Sequence, residues 1–362
     1  MKRIKILYTI PNFDTAGSGK VLYDLANRLD KNIFEVEIAC NNSNGDFFKE
    51  VEKLNLPIHI FETTTPLRPY YSLFFRILSI SRFIKKNQID ILHSWHWSSD
   101  WTEIVATRFA GKKFVYTKKA MSWGNIHWKI KSYLSNFIVT INNEMTNYFP
   151  NKKNQKLIPL GIDTEYYNPD LFTKQNTSSV FKIVTIANLV PVKGIEVLIK
   201  AVAELKNKNI KLDIIGDTRD PYSDYLRKLI FTLKVEDQVS FLGKFTDIRP
   251  FLVNSDLYVI PTLNSGRKEG MPMALVEAMT MMVPVLGSNI TGINYVLNDF
   301  KEYLFEANNH LQLANKIDEM ILKNELERKE IGMKLRGYCE TNFSLQKFIK
   351  EHENLYKSIT RI

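Results

Sequence analysis

LYVIPT at residues 257–262 and KEGMPMALVEAM at 268–279 read as a β-prone run, an exit through Pro261 and Thr262, and a turn that opens an apolar helix. Gly270 and Pro272 suit that opening, because glycine accepts tight turns and proline fits the first helical turn. Two carboxylates lie eight residues apart around the helix start, Glu269 just ahead of it and Glu277 one turn inside. Free backbone N–H groups at such an end can hold a diphosphate, and a glutamate one turn in can accept from two vicinal hydroxyls, as on a ribose. In the plainer reading Glu269 complements the helix dipole and Glu277 belongs to a solvated face. Glu277 argues against it, because residues 273–282 are otherwise largely apolar and a carboxylate without a partner is costly to bury.

The same alternation of apolar run and amphipathic segment extends outward in both directions. Strands are expected at 4–8, 34–40, 58–61, 89–93, 113–116 and 137–141, with helices at 20–29, 47–54, 73–86 and 101–110. The rhythm pauses over the polar stretch 161–179 and resumes with strands at 183–187, 212–215, 239–242, 257–260 and 283–287 and helices at 194–206, 222–233, 273–279 and 309–323. This pattern predicts an α/β protein of two Rossmann-like, doubly wound domains facing a central cleft, 1–165 and 166–340, hinged near 161–179. A last helix within 341–362 packs back on the first domain or simply caps the second. Ligands of such sheets lie beyond the carboxyl ends of the strands. A length of 362 residues with 44% hydrophobic and 24% charged residues fits two globular domains and excludes disordered or collagen-like chains. Cys40 and Cys339, far apart and without metal-site spacing, are expected to be buried hydrophobes.

Residues 268–279 resemble the E-x7-E motif of the retaining family 4 glycosyltransferases, glycosyl transferases group 1, of the GT-B fold. LIPLGIDTEYYNP at 157–169 is similar to that family's interdomain segment, Lys193-Gly194 to its phosphate-binding loop, IIGD at 214–217 to its glycine after a strand, FLG at 241–243 to its base-side loop, and Pro284-Val285 completes the series. The resemblance implies a nucleoside-diphosphate-sugar donor held mainly by the second domain, an acceptor held by the first, and no metal ion or other cofactor. It assigns Glu269 to the donor sugar, Lys193 to the departing phosphate and Glu277 to the ribose, with Asn188, Gly243, Gly270, Met271 and Pro272 around the donor. Asn188 stands where the pattern usually has an arginine, so a cation is missing there. Retention without an evident nucleophile implies a front-face displacement, with the hinge closing the cleft against water. A non-catalytic nucleotide-sugar or glycan-binding partner on the same fold is the alternative, prompted by Asn188.

In the first half, DTAGSGK at 14–20 is not a Walker A loop, since Asp14 and Val21 occupy positions that need glycine and a hydroxyl. The resemblance makes it the glycine-rich loop that approaches the donor, with Gly17 and Gly19 as its permissive positions. HSWHWSSDW at 93–101 follows a strand, and the resemblance places His96 beside the transferred sugar, although its H-x-x-H spacing departs from the usual H-x-H. Two histidines without a third ligand make no zinc site. Trp95, Lys118, Lys119 and Trp123 mix cations with aromatic faces that can stack on a sugar or hold a lipid-linked phosphate, as expected for a glycan or lipid-linked glycan acceptor. Residues 1–165 carry 23 Lys and Arg against 15 Asp and Glu, and the remainder 26 against 24, so the first domain is the one that meets anions. Residues 66–88 have two open readings: a helix lying on an anionic membrane surface, or one burying its apolar face on its own sheet. No recognition helix or RNA-binding signature accompanies the charge, which excludes nucleic acid as a partner. The N-terminus has too short an apolar run for a signal segment, so a cytoplasmic protein is expected, peripheral on the inner face of the cytoplasmic membrane if residues 66–88 meet lipid. Bacterial surface polysaccharide or lipopolysaccharide synthesis is the setting the resemblance implies.

Overall fold

The computed structural model describes residues 2–14, 16–45, 47–121, 124–173, 180–219, 221–265 and 269–360. They form two compact units, Met1–Gly161 with Leu345–Ile362, and Ile162–Ser344. The first unit runs β1 (Ile4–Ile10), α1 (Ala16–Arg28), β2 (Phe34–Cys40), α2 (Phe48–Glu52), β3 (Ile58–Ile60), α3 (Tyr70–Lys86), β4 (Ile91–Ser94), α4 (Thr102–Phe109), β5 (Lys113–Lys118), α5 (Ile126–Leu134), β6 (Phe137–Thr140), α6 (Asn143–Thr146) and β7 (Gln155–Leu157). The second runs β8 (Phe181–Ile186), α7 (Ile195–Glu204), β9 (Ile210–Ile215), α8 (Pro221–Leu233), β10 (Val239–Gly243), α9 (Arg249–Val253), β11 (Leu257–Ile260), α10 (Met273–Thr280), β12 (Val285–Ser288), α11 (Thr291–Val296), β13 (Leu304–Phe305), α12 (His310–Leu322) and α13 (Glu325–Asn342). Helix α14 (Leu345–Thr360) returns to the first unit.

Both sheets are parallel, in the orders β3-β2-β1-β4-β5-β6-β7 and β10-β9-β8-β11-β12-β13. The strands are apolar at successive positions, as Ile6, Leu7 and Tyr8 of β1 show, because helices cover both faces of each sheet. In the second unit Ile183, Leu212, Leu257 and Val259 share one core with Ile195, Leu198 and Val202 of α7 and Ile317 of α12. Each such side chain contributes about 1.5–3 kcal/mol on burial. The strand order reverses direction once in each sheet, between β1 and β4 and between β8 and β11. Loops leaving the strands that flank a switch point diverge to opposite sides and leave room for a ligand.

Several elements differ from the sequence reading. Helix α1 begins at Ala16, four residues early, so Gly17 and Gly19 lie in its first turn instead of a loop. Helices α5 and α13 and strands β7 and β13 were not expected. The two junctions between the units fall at Gly161/Ile162 and Ser344/Leu345. Cys40 and Cys339 are free and buried. Helix α3 combines both readings of residues 66–88: Ile77, Ile80 and Ile84 are buried, whereas Tyr71, Phe74 and Phe75 are 85%, 55% and 69% exposed. Among the described residues no helix is long and apolar enough to cross a membrane.

Candidate active site

The β8/β11 switch point collects the second unit's polar residues. After β8 the chain makes a single 3-10 turn, Pro191–Lys193, which ends at Gly194 with φ +64°. A Cβ there would lie 2.2 Å from the Pro261 carbonyl oxygen, so only glycine lets the loop after β8 seat against the loop after β11. That seating brings Lys193 Nζ onto Glu269 Oε1 as an ion pair, both side chains partly open to solvent. The backbone of Glu269 rests in turn on Gly292 of α11, where a Cβ would meet the Glu269 carbonyl oxygen at 2.4 Å.

Gly270, Met271 and Pro272 are buried beneath this corner, and α10 starts directly after Pro272. Among the described residues no side chain caps that helix start, which leaves its first N–H groups for an anion. Glu277 is half-buried one turn in, and its Oε1 accepts from the Tyr167 hydroxyl at 2.9 Å. Tyr258 of β11 is fully buried; burial, reinforced by the charges of Glu277 and Glu269, pushes its hydroxyl pKa well above the ordinary value. Asn188 is exposed in the loop after β8. Gly243 ends β10 with φ +86°, at a register shift in its pairing with β9. Arg267 and Lys268, which could replace the missing arginine's charge, lie outside the described residues, as does Trp123.

The first unit gathers a second set at its β1/β4 switch point. Gly17 is exposed and meets nothing, while Gly19 is buried with Phe13 close to where a Cβ would sit. Neither glycine has the left-handed backbone that a permissive loop position would require; they are helical, and Gly19 is kept small by Phe13. Thr9 Oγ1, Ser94 Oγ, Trp95 Nε1 and His96 Nε2 are buried around the ends of these strands without a hydrogen-bond partner among the described residues. His96 Nε2 lies 3.8 Å from Glu103 Oε1. Burial holds the His96 pKa down to about 4 against the pull of Glu103, so the ring is neutral at pH 7.

Trp95 is fully buried, which corrects the expectation of an open stacking face: its indole packs beside His93, with Lys119 5.4 Å above the ring. Lys118 is also buried, its ammonium 4.0 Å over Trp128. Burial, with the charge of Lys131 adding to it, brings the Lys118 pKa down to about 7. Lys131 is itself buried, donating to the Ser98 carbonyl at 3.2 Å and lying 4.5 Å over Tyr116. Lys131 and Glu103 were not singled out in the sequence, since one charge on an amphipathic helix carries no sign of being turned inward. Tyr167 was quoted only as part of a motif, and its link to Glu277 spans 110 positions.

Two Rossmann-like units, each with its polar residues gathered at the switch point of a parallel sheet, define a GT-B protein. Residues 170–334 match the model of the glycosyl transferases group 1 and residues 15–166 that of glycosyltransferase family 4. The two matches together take in most of the chain, which belongs to these glycosyltransferases. N-acetyl-alpha-D-glucosaminyl L-malate synthase of Bacillus anthracis is 26% identical over 218 residues, 59% of this chain and 55% of that one. The UDP-Gal:alpha-D-GlcNAc-diphosphoundecaprenol alpha-1,3-galactosyltransferase of Escherichia coli is 26% identical over 263 residues, 64% of this chain and 66% of its own length. The chain thus spans about half to two thirds of these curated relatives. Anabaena HepE, solved with UDP and glucose, superposes with a TM-score of 0.82 at 18% identity, covering 98% of this chain and all of the other.

Proposed function

We propose that this glycosyltransferase moves a hexose-type sugar, with retention and without a metal ion, from a nucleoside diphosphate to a hydroxyl of a glycan or lipid-linked glycan. The observation that carries the reading is the Lys193–Glu269 pair at a switch point, beside the start of the helix that bears Glu277. Lys193 neutralises the departing diphosphate together with the N–H groups of α10, Glu269 faces the sugar and Glu277 accepts from the ribose hydroxyls. In the transfer the acceptor oxygen bonds to the anomeric carbon on the face from which the phosphate oxygen departs. The acceptor's proton passes to that phosphate oxygen, so no side chain forms a covalent intermediate. His96, neutral in its pocket, serves the sugar as a hydrogen-bonding group and not as a charge.

The acceptor side belongs to the first unit, in line with its excess of cations, and the E. coli relative's named substrate supports a lipid-linked acceptor. Work at the cytoplasmic face of the membrane, in surface polysaccharide synthesis, follows from such a substrate and from the exposed aromatic end of α3. The test is calorimetry of the purified protein against UDP, GDP, ADP and their sugar conjugates, with Glu277→Ala as control. Selective binding lost in the variant supports the reading, and unchanged turnover in EDTA with an α-configured product from an α-donor supports its mechanism. Absence of binding to every nucleotide sinks it. A non-catalytic sugar-binding role, suggested by the exposed Asn188, requires that Asn188→Arg bring no gain in turnover over a donor-binding wild type.

A further inference from the structure

We infer that Tyr167 is a positioning residue that sets the Glu277 carboxylate to discriminate ribose from deoxyribose, an inference that rests on the donor-site reading above. A glutamate side chain has three rotatable bonds, and a carboxylate serves a vicinal diol only when its oxygens point along the diol. Tyr167 supplies such a constraint. It is 5% exposed, its hydroxyl donates to Glu277 Oε1 at 2.9 Å, and its ring is set edge-on against Tyr166 with centroids 5.1 Å apart. One acceptor oxygen is thereby fixed in direction, and the plane of the carboxylate with it.

The tyrosine is itself held at several points. Its N–H donates to the Asp163 carbonyl at 2.9 Å, while Asp163 Oδ1 accepts from the N–H groups of Glu165 and Tyr166. Arg336 of α13 donates through Nη1 to the carbonyls of Tyr167 and Thr280, both at 2.7 Å, and through Nη2 to that of Thr164 at 2.9 Å. Thr280 ends α10, the helix that carries Glu277. A single guanidinium therefore ties the segment bearing the tyrosine to the helix bearing the glutamate. On the other side Arg249 donates to the Tyr166 carbonyl at 2.9 Å and lies 3.5 Å over the Tyr166 ring, forked to Asp247. The segment is thus held from both sides, and from it the Tyr167 hydroxyl reaches Glu277.

The experiment is calorimetry of the full-length wild type, Tyr167→Phe and Glu277→Gln with UDP, GDP and ADP and with the 2′-deoxy form of each. For the nucleotide that the wild type binds, the ribose form is expected to bind about tenfold more tightly than the deoxy form, the scale of one hydrogen bond to a charged group. Tyr167→Phe weakens the ribose form about tenfold, leaves the deoxy form within about twofold and so abolishes the preference. Glu277→Gln abolishes it as well, and the double variant is no worse than Glu277→Gln alone. Equal weakening of both forms by Tyr167→Phe would mean that the tyrosine acts only on the fold, and an unchanged preference would mean that Glu277 reads the ribose unaided; either overturns the inference while leaving the donor site intact. A preference untouched by Glu277→Gln, or absent from the wild type, overturns the ribose assignment of Glu277 and this inference with it.

Discussion

Lys193 and Glu269 form one ion pair whose two members come from loops on either side of a switch point, so the cation is held on the carboxylate just ahead of α10. Removing one preorganised donor from a developing negative charge costs about 100- to 1,000-fold in turnover. Lys193→Ala is therefore expected to lower kcat by about that factor while leaving the affinity for the free nucleoside unchanged; steady-state kinetics and nucleoside titration check both halves. Lys118 gives a different kind of prediction. Its pKa falls from 10.5 to about 7, mainly through burial, so between those values the unfolded chain holds a proton that the folded chain lacks, and stability rises with pH across that window. Below about pH 7 the full cost of burying the ammonium is present. Lys118→Met should then raise the melting temperature more at pH 6 than at pH 10, and equal gains at both would show that the lysine is not buried as a charge. Glu269 and Glu277 are legible from their placement around one helix start, and Lys193 only through the family resemblance, whereas the inward turn of Lys118 and Trp95 depends on what the neighbouring strands bring beside them.

At the scale of elements, most of the parallel strands are readable because their faces are buried and their runs largely apolar, as in β1 and β11; the short, polar β7, Gln155–Leu157, has no such run. Helix α13 was not, since ELERKEIGMKLRGYCETN is polar nearly all round and buries only Gly332, Leu335 and Cys339; it nonetheless delivers Arg336 to three carbonyls. The Gly-Ser-Gly run predicts a loop, but it lies in the first turn of α1, with the Phe13 ring close to Gly19. Helix α3 shows most clearly why an amphipathic pattern has two readings. Its inner face, Ile77, Ile80 and Ile84, packs in the core with Phe114 and Leu92, while its first turns hold Tyr70, Tyr71, Phe74 and Phe75 in solvent next to Phe109 of α4. Residues 66–88 carry five Lys and Arg and no Asp or Glu, a surface suited to anionic lipid. Phe74→Ser with Phe75→Ser should reduce co-sedimentation with phosphatidylglycerol vesicles by about tenfold or more, since each ring contributes about 1.5–3 kcal/mol on leaving water. The melting temperature should stay unchanged, because neither ring packs in the core. Wild-type protein that ignores these vesicles would remove the membrane from the proposed function.

Over the whole molecule, the chain's path is what local sequence conceals most: α14 follows directly on the second unit yet is buried in the first. Its Tyr356 hydroxyl lies 2.7 Å from His93 Nδ1 and 3.0 Å from the Tyr8 hydroxyl, and His93 Nε2 meets Thr117 Oγ1 at 2.7 Å. His352, one turn earlier on α14, stacks 5.7 Å from His93. Counting His96, the first unit thus buries three imidazoles, all with pKa values depressed chiefly by burial: His93 well below 6.5, His96 and His352 to about 4. Each is neutral when folded and takes a proton near pH 6.5 when unfolded, so each contributes stability that is present above about pH 6.5 and is lost as pH falls toward its folded value. Urea unfolding of the full protein should therefore show stability dropping between pH 6.5 and pH 5, by up to about 1.4 kcal/mol per pH unit for each histidine. His352→Phe should flatten that slope by about one group's share. Tyr356→Phe should instead lower stability at pH 7 by about 1–3 kcal/mol, since it strips partners from buried groups without removing a titrating one. A slope that is the same in wild type and His352→Phe would mean that this imidazole is reached by water in the native state, and that α14 is not closed over the sheet.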